Sequence, residues 1–181
     1  AFTGSQHGGR ALMQLANQRN VPIPFFAEMG SVNPMVLMRD SLEKNHEELA
    51  AGILNSCTLG VGQFCTNPGL VILEKSEVQD QFLKNIHELV QEIKPGNMLS
   101  ADIAGNYSAM IRKVSSHHFV KILGTAKSEG LYAEGLPCVL LCRASDLVQE
   151  PDLADEIFGP STMLVLAENK EEILKVLGAI G

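Results

Sequence analysis

Apolar residues follow two rhythms along this chain. In several stretches they recur every three to four positions, which predicts amphipathic helices, and elsewhere they form short runs that predict strands. The predicted strands are Ala1–Ser5, Phe25–Glu28, Met35–Met38, Gly69–Glu74, Cys138–Cys142 and Met163–Leu166. Because helical stretches alternate with these strands, we expect an α/β fold with a mostly parallel sheet flanked by helices.

Local signals mark where three of the predicted helices begin. Ser41 is the expected N-cap of a long helix that follows the third strand. Ser76 and Gln79 have the spacing of a capping box before the next helical stretch. Asn169 and Glu172 have the same spacing before the last one. These positions therefore predict three helix starts.

Composition and charge exclude several classes of partner. The 181 residues are 45% hydrophobic and 19% charged, which is typical of a soluble globular protein, and no apolar run is long enough for a membrane span. The net charge is −7 and basic residues do not cluster, so nucleic acid and anionic membranes are not expected partners. Tryptophan is absent, which disfavours a surface that stacks on bases.

Three of the four cysteines lie in apolar patterns. Cys57 falls on the apolar face of a predicted helix, and Cys138 and Cys142 belong to the run PCVLLC. Burial in the core is therefore favoured over a metal-binding pair. His117 and His118 are adjacent, so their side chains point apart, and we expect no metal site. Unpaired core cysteines fit a reducing compartment, which indicates the cytoplasm.

The fourth cysteine has a different setting. Cys65 lies in the turn-rich stretch GVGQFCTNPG, directly after a helical pattern. Gly60 and Gly62 allow the backbone to approach a ligand closely, and a loop position gives a thiol access to substrate. Spacing alone leaves two interpretations equally open, a catalytic nucleophile and a small loop residue.

Glu28 is a candidate general base. It ends an apolar strand in FFAEMGSVNP, and ligands of parallel α/β proteins bind beyond the carboxyl ends of strands. Apolar neighbours would partly desolvate its carboxylate, which suits a base. The alternative, favoured on the residues alone, is a solvated acid at a strand end.

Two further segments carry weaker signals. In DEIFGP, Glu156 is placed to accept a hydrogen bond from a sugar hydroxyl, and Phe158 presents a large ring before a fixed turn. Either residue is equally consistent with an ordinary loop. In FTGS, Gly4 and Ser5 join a strand end to a helix start, where backbone N–H groups and the helix dipole attract phosphate.

The segments FTGS, EMGSVNP, GQFC and EIFGP occur in this order across nearly the whole chain. Taken together they resemble the aldehyde dehydrogenase superfamily. The resemblance implies the three-layer α/β/α catalytic domain of that family. It also implies an enzyme that oxidises an aldehyde to an acid with NAD or NADP.

The resemblance implies a role for each candidate residue. Cys65 corresponds to the nucleophile, which forms a thiohemiacetal and then a thioester, and Glu28 corresponds to the general base that activates water. Glu156 corresponds to the residue that binds the nicotinamide ribose. Phe158 lies beside the nicotinamide ring in the family pattern, and the contact with the cofactor phosphates falls on the Gly4–Ser5 turn.

The family is more than twice as long as this chain, so the resemblance implies a fragment. Residues 1–30 correspond to the end of the cofactor-binding domain, and residues 31–181 to a catalytic domain truncated at its C-terminal end. We expect the fragment alone to be unable to oxidise aldehydes. The parent protein is expected to be a homodimer or homotetramer.

Departures from the common family pattern point to one branch. Met29–Val32 replaces Leu-Gly-Gly-Lys, and Thr66–Gly69 replaces a run of small residues. Both variants resemble bacterial ketoglutarate semialdehyde (2,5-dioxopentanoate) dehydrogenases and related NADP-dependent fatty aldehyde dehydrogenases. Two alternatives of another class are a cysteine hydrolase or acyltransferase that uses no nucleotide, and a non-catalytic interaction domain.

Overall fold

The computed structural model describes residues 1–128 and 130–180. They divide into two compact units, residues 1–31 and the residues from Val32 onward. The smaller unit contains strand β1 (Phe2–Thr3), helix α1 (Gln6–Asn17) and strand β2 (Ala27–Glu28). Strands β1 and β2 are parallel, with Thr3 opposite Glu28.

The larger unit alternates strands and helices. Its elements are β3 (Met35–Leu37), α2 (Arg39–Thr58), β4 (Leu70–Glu74), α3 (Gln79–Glu92), β5 (Gly96–Asn97), α4 (Ala101–Ser115), β6 (Lys121–Thr125), β7 (Glu134–Gly135), β8 (Cys138–Arg143), α5 (Ala144–Gln149), β9 (Ser161–Ala167) and α6 (Lys170–Ala179). Five strands form one sheet in the order β3-β4-β9-β8-β6. All its pairings are parallel except that of β6 with β8. Strands β5 and β7 form a separate antiparallel ribbon.

The core lies on both faces of the five-stranded sheet. Along β4, Leu70 and Ile72 face one cluster, and Val71 and Leu73 face the other, because successive side chains of a strand point to opposite sides. Helices α2 and α3 cover the second face, whereas α5 and α6 cover the first. The sheet is therefore the middle of three layers, and the expected α/β fold with a mostly parallel sheet is confirmed.

The predicted helix starts have different outcomes. Asn169 caps α6, with its side chain accepting a hydrogen bond from the Glu172 backbone N–H at 3.1 Å. The prediction for Ser41 is wrong, because α2 begins at Arg39 and the Glu74 carboxylate accepts the Arg39 N–H at 3.0 Å. A side chain from the end of β4 thus replaces the local cap.

The capping box predicted at Ser76 is also wrong. Helix α3 begins at Gln79 with Val78 as its N-cap, and no side chain caps it. The Ser76 hydroxyl is buried and has no hydrogen-bond partner among the described residues. Hydrophobic packing of Phe82 and Ile86, both fully buried, positions this helix instead.

The pattern of apolar residues does not predict strand β6. It mixes Lys121 and Gly124 with apolar residues, lies at the edge of the sheet, and leaves Ile122 half-exposed. Its pairing with β8 is irregular between Ile122 and Gly124. Among the residues described, no helix combines the length and apolar character needed to cross a membrane.

Candidate active site

The turn that carries Cys65 follows α2 and has an unusual backbone. Gly60, Val61 and Gly62 all have positive φ, at 58°, 58° and 66°. Glycine adopts this conformation freely, whereas a β-branched residue is strained there by roughly 1–3 kcal/mol. These three consecutive residues with positive φ turn the chain away from the helix axis. Cys65 lies exposed just beyond them.

Packing holds Val61 in its strained conformation. Its two methyl groups lie against Gly96 of β5 and Gly135 of β7, where an added Cβ would be 2.7 Å and 3.0 Å from them. Glycine at both positions makes room for the valine. The small ribbon of β5 and β7 therefore supports the turn before Cys65.

Two asparagine side chains, those of Asn33 and Asn67, form hydrogen bonds with the backbone around Cys65. The Asn33 amide donates to the Cys65 carbonyl at 2.7 Å and to the Asn67 carbonyl at 3.0 Å. The Asn67 amide donates to the Gly159 carbonyl at 3.1 Å and, at 3.5 Å, to the Gly62 carbonyl. These bonds hold the Cys65 turn from two directions.

Glu156 and Phe158 lie on a loop that packs against the Cys65 turn. Glu156 is half-buried and the Phe158 ring is 40% exposed. Gly159 lies over the ring of Tyr107, so closely that an added Cβ would be 2.2 Å from Tyr107 Cδ2. The Tyr107 hydroxyl donates to the Leu136 carbonyl at 2.7 Å, and burial raises the pKa of this hydroxyl far above its ordinary value. The neutral side chain of Tyr107 is thus held by a hydrogen bond and packs against the loop.

The other three thiols are poorly suited to nucleophilic attack. Cys57, Cys138 and Cys142 are buried, as expected from their apolar patterns. Burial raises the pKa of Cys57 and of Cys142 to about 12, and that of Cys138 to about 11. Since the thiolate is the reactive form, these side chains stay unreactive at neutral pH. Cys65 is the exposed cysteine of the four.

The smaller unit contains Gly4, Ser5 and Glu28. Ser5 caps α1, with its hydroxyl accepting from the Gly8 N–H at 3.2 Å, and the Gly4 N–H donates to the Glu28 carbonyl at 3.1 Å. The first turn of α1 contains no acidic residue. The Glu28 side chain is exposed, which contradicts the partial desolvation expected from its apolar neighbours.

Each unit brings together part of the predicted site. In the larger unit, Cys65 and the Glu156–Phe158 loop are joined through the contacts of Gly62 and Asn67 with Gly159. In the smaller unit, Gly4 adjoins Glu28 through a backbone hydrogen bond. Within residues 1–128 and 130–180, no group of three or more His, Cys, Asp or Glu side chains could hold a metal ion.

Each unit, taken by itself, has features that fit part of a dinucleotide. A helix start with glycines and no acidic side chain favours a phosphate, because its N–H groups and dipole attract an anion. Glu156 supplies a carboxylate that can accept hydrogen bonds from hydroxyl groups, and the exposed face of Phe158 can contact a flat ring.

Sequence reasoning missed the residues that hold the turn. Asn33 and Asn67 belong to the segments that contain Glu28 and Cys65, but the bonds from Asn33 to the Cys65 carbonyl and from Asn67 to the Gly159 carbonyl join distant parts of the chain. Gln63 also bridges, donating to the Gly60 carbonyl at 3.2 Å and accepting from the Leu99 N–H at 2.9 Å. The available signal was the asparagine after Cys65, which departs from the small residues common in the family pattern.

Comparisons with known proteins agree with one another. The sequence pattern of the aldehyde dehydrogenase family matches residues 1–178. The chain is 36% identical, over 99% of its length, to alpha-ketoglutaric semialdehyde dehydrogenase 2 of Azospirillum brasilense, and 34% identical, over 97%, to alpha-ketoglutaric semialdehyde dehydrogenase of Acinetobacter baylyi. It covers 34% of each of these relatives, so it spans about a third of their length.

A solved structure shares the fold. The NAD-dependent benzaldehyde dehydrogenase of Corynebacterium glutamicum superposes with a TM-score of 0.77 at 22% identity. The match covers 99% of this chain and 39% of that one. At this level of identity the similarity concerns the architecture.

Proposed function

The chain belongs to the aldehyde dehydrogenase family, and we propose that the complete protein oxidises an aldehyde to a carboxylic acid with NAD(P)+, using Cys65 as nucleophile. The observation that carries this proposal is the exposure of Cys65 in a rigidly held turn while the other three thiols are buried with raised pKa values. Such a turn gives a reacting aldehyde access to the sulfur.

The reaction begins and ends at Cys65. Its thiolate attacks the aldehyde carbon, a C–S bond forms, and the carbonyl electron pair moves to oxygen. Bound NAD(P)+ would supply a hydride acceptor, so that the C=O bond would re-form as the carbon gives up its hydride and Cys65 would carry a thioester. Glu28 takes a proton from water, the water oxygen attacks the thioester carbon, and the C–S bond breaks to release the acid and the thiolate.

Four residues are proposed to contact the cofactor. Gly4 and Ser5, at the start of α1, would bind phosphate. Glu156 would accept a hydrogen bond from a ribose hydroxyl, and Phe158 would lie beside the nicotinamide ring. These assignments are supported by the helix start free of acidic residues and by the exposure of Phe158.

Ketoglutarate semialdehyde is the proposed substrate. Its support is the similarity to two alpha-ketoglutaric semialdehyde dehydrogenases at 34–36% identity over nearly the whole chain. A fatty or other aldehyde is the alternative within the same branch. We assign residues 1–30 to the end of the cofactor-binding domain and residues 31–181 to the catalytic domain of a cytoplasmic homodimer or homotetramer.

The decisive experiment measures NAD(P)H formation by the complete protein with ketoglutarate semialdehyde, a fatty aldehyde and benzaldehyde, with each nucleotide. We expect the semialdehyde to give the highest kcat/KM. Cys65→Ala should abolish activity, whereas Cys138→Ala should retain it. Equal activity of the Cys65→Ala variant and the wild type would contradict the proposal.

A further inference from the structure

Asn67 connects the two loops that the proposed reaction uses. Its side-chain amide donates to the carbonyl of Gly159, at 3.1 Å, and more weakly to the carbonyl of Gly62, at 3.5 Å. Gly62 lies in the turn before Cys65, and Gly159 directly follows Phe158. The amide has two N–H groups, and both are used in joining these segments.

The orientation of the Asn67 amide is fixed by its partners. Both partners are carbonyl oxygens, so a flipped amide would place its own oxygen against two acceptors. In the observed orientation Asn67 Oδ1 is buried and accepts no hydrogen bond from the described residues. Leaving a buried acceptor unpaired costs about 1–3 kcal/mol, which offsets much of what the two donated hydrogen bonds contribute to stability.

A second amide completes the connection. The Asn33 side chain binds the carbonyls of Cys65 and Asn67. The backbone of the Cys65 turn is therefore held through its own carbonyls, and the Asn67 side chain extends from that fixed backbone to Gly159. Movement of the turn relative to the Phe158 loop would break the Gly159 bond.

We propose that Asn67 is a positioning residue that fixes the Cys65 turn relative to the Glu156–Phe158 loop, so that hydride transfer depends on it and attack by the thiolate does not. This inference rests on the proposed function, because it uses the roles proposed for Cys65, Glu156 and Phe158. Attack needs only an accessible thiol, whereas hydride transfer needs the carbon bound to sulfur and the nicotinamide ring at a set distance. Misplacement by about 1 Å reduces such a step by about a hundredfold.

The test uses Asn67→Ala, Asn67→Asp and the milder Asn67→Ser in the complete protein. Asn67→Asp keeps the size but removes both N–H donors, so it separates hydrogen bonding from packing. Asn106→Ala is the matched control, because Asn106 is exposed on the surface of α4. Thermal unfolding of each variant establishes that it is folded.

Three readouts are compared with the wild type. The first is aldehyde oxidation with saturating nucleotide, the second is the isotope effect with an aldehyde deuterated at the reacting carbon, and the third is hydrolysis of p-nitrophenyl acetate without nucleotide. We expect Asn67→Ala and Asn67→Asp to lower kcat for oxidation about ten- to hundredfold and to raise the isotope effect. Ester hydrolysis should stay close to the wild-type rate, and Asn67→Ser should recover part of the oxidation rate.

Equal losses of oxidation and ester hydrolysis would overturn the inference, since Asn67 would then only shape the Cys65 turn. Unchanged oxidation in the Asn67 variants would also overturn it, while a wild type that is active and an inactive Cys65→Ala variant would leave the proposed function intact. If the wild type produces no NAD(P)H with any aldehyde, the proposed function fails and the inference fails with it.

Discussion

Gly62 and Gly159 meet backbone to backbone, so that a Cβ built on Gly62 would lie 2.1 Å from the Gly159 carbonyl oxygen. Real carbon and oxygen atoms do not approach this closely, and the atom in the way belongs to the backbone. Gly62 also has a φ of +66°, which disfavours any other residue. The contact between the two loops therefore requires glycine at position 62.

Gly62→Ala should destabilise the chain by roughly 2–5 kcal/mol, because it adds a forced left-handed conformation to overpacking. Gly52→Ala is the matched control, since nothing lies within 4 Å of an added Cβ there and Gly52 lies in α2. The control should stabilise the chain by about 0.5–1 kcal/mol. Urea unfolding of both variants measures the difference, and a Gly62→Ala variant as stable as the wild type would contradict the close contact.

Cys65 should react with iodoacetamide before the other three thiols at neutral pH. Cys57, Cys138 and Cys142 are buried and burial raises their pKa values to about 11 or 12, so their thiolate forms are scarce. Mass spectrometry of peptides after timed labelling gives the order. Labelling in denaturant is the control, because unfolding should make the four rates similar. Faster labelling of Cys57 or Cys138 in the folded protein would be evidence against the nucleophile assignment.

Glu28→Gln should slow release of the acid more than attack on the aldehyde. The amide keeps the size of the side chain but cannot accept the proton of the attacking water at neutral pH. In the complete protein, acid quenching should therefore trap a thioester on Cys65, detected by its mass. Steady-state turnover equal to that of the wild type would remove Glu28 from the role of base.

The stability of the chain should fall as the pH rises from about 9 toward 12. The ordinary pKa of a thiol is 9.0, and burial raises it to about 12 in Cys57 and Cys142. The unfolded chain therefore loses these protons at lower pH than the folded chain, so alkaline conditions favour unfolding. The free energy of unfolding should decline less steeply in Cys142→Ala than in the wild type, because this variant lacks one buried thiol. Parallel slopes for wild type and Cys142→Ala would contradict this account.

The sequence predicts the elements whose burial is complete. Strand β4 is apolar at its first four positions and buried throughout, so its short apolar run correctly predicts a buried strand. Asn169 caps α6 through neighbours in the sequence, and the prediction there is confirmed. Ser41 and Ser76 fail as caps because tertiary contacts, the Glu74 carboxylate in one case and hydrophobic packing in the other, set where those helices begin.

The candidate residues could be read from short motifs, but the bonds that position them could not. Asn67 and Gly159 are 92 residues apart, so nothing in the local sequence links them. Gly96 and Gly135, which contact Val61, also lie outside the motif that carries Cys65. Glu28 is exposed although its neighbours in the sequence are apolar, so an apolar pattern does not predict the burial of this carboxylate.

The strained conformation of Val61 couples the motions of the Cys65 turn to those of the β5–β7 ribbon. Because the valine keeps positive φ only while Gly96 and Gly135 confine its methyl groups, separation of β5 from β7 would let its backbone relax. The turn and the ribbon would then open as one cooperative unit, with the amide protons of both exchanging with solvent at matched rates. A ribbon of four residues thus adds to the hydrogen bonds that keep the turn that presents Cys65 in place.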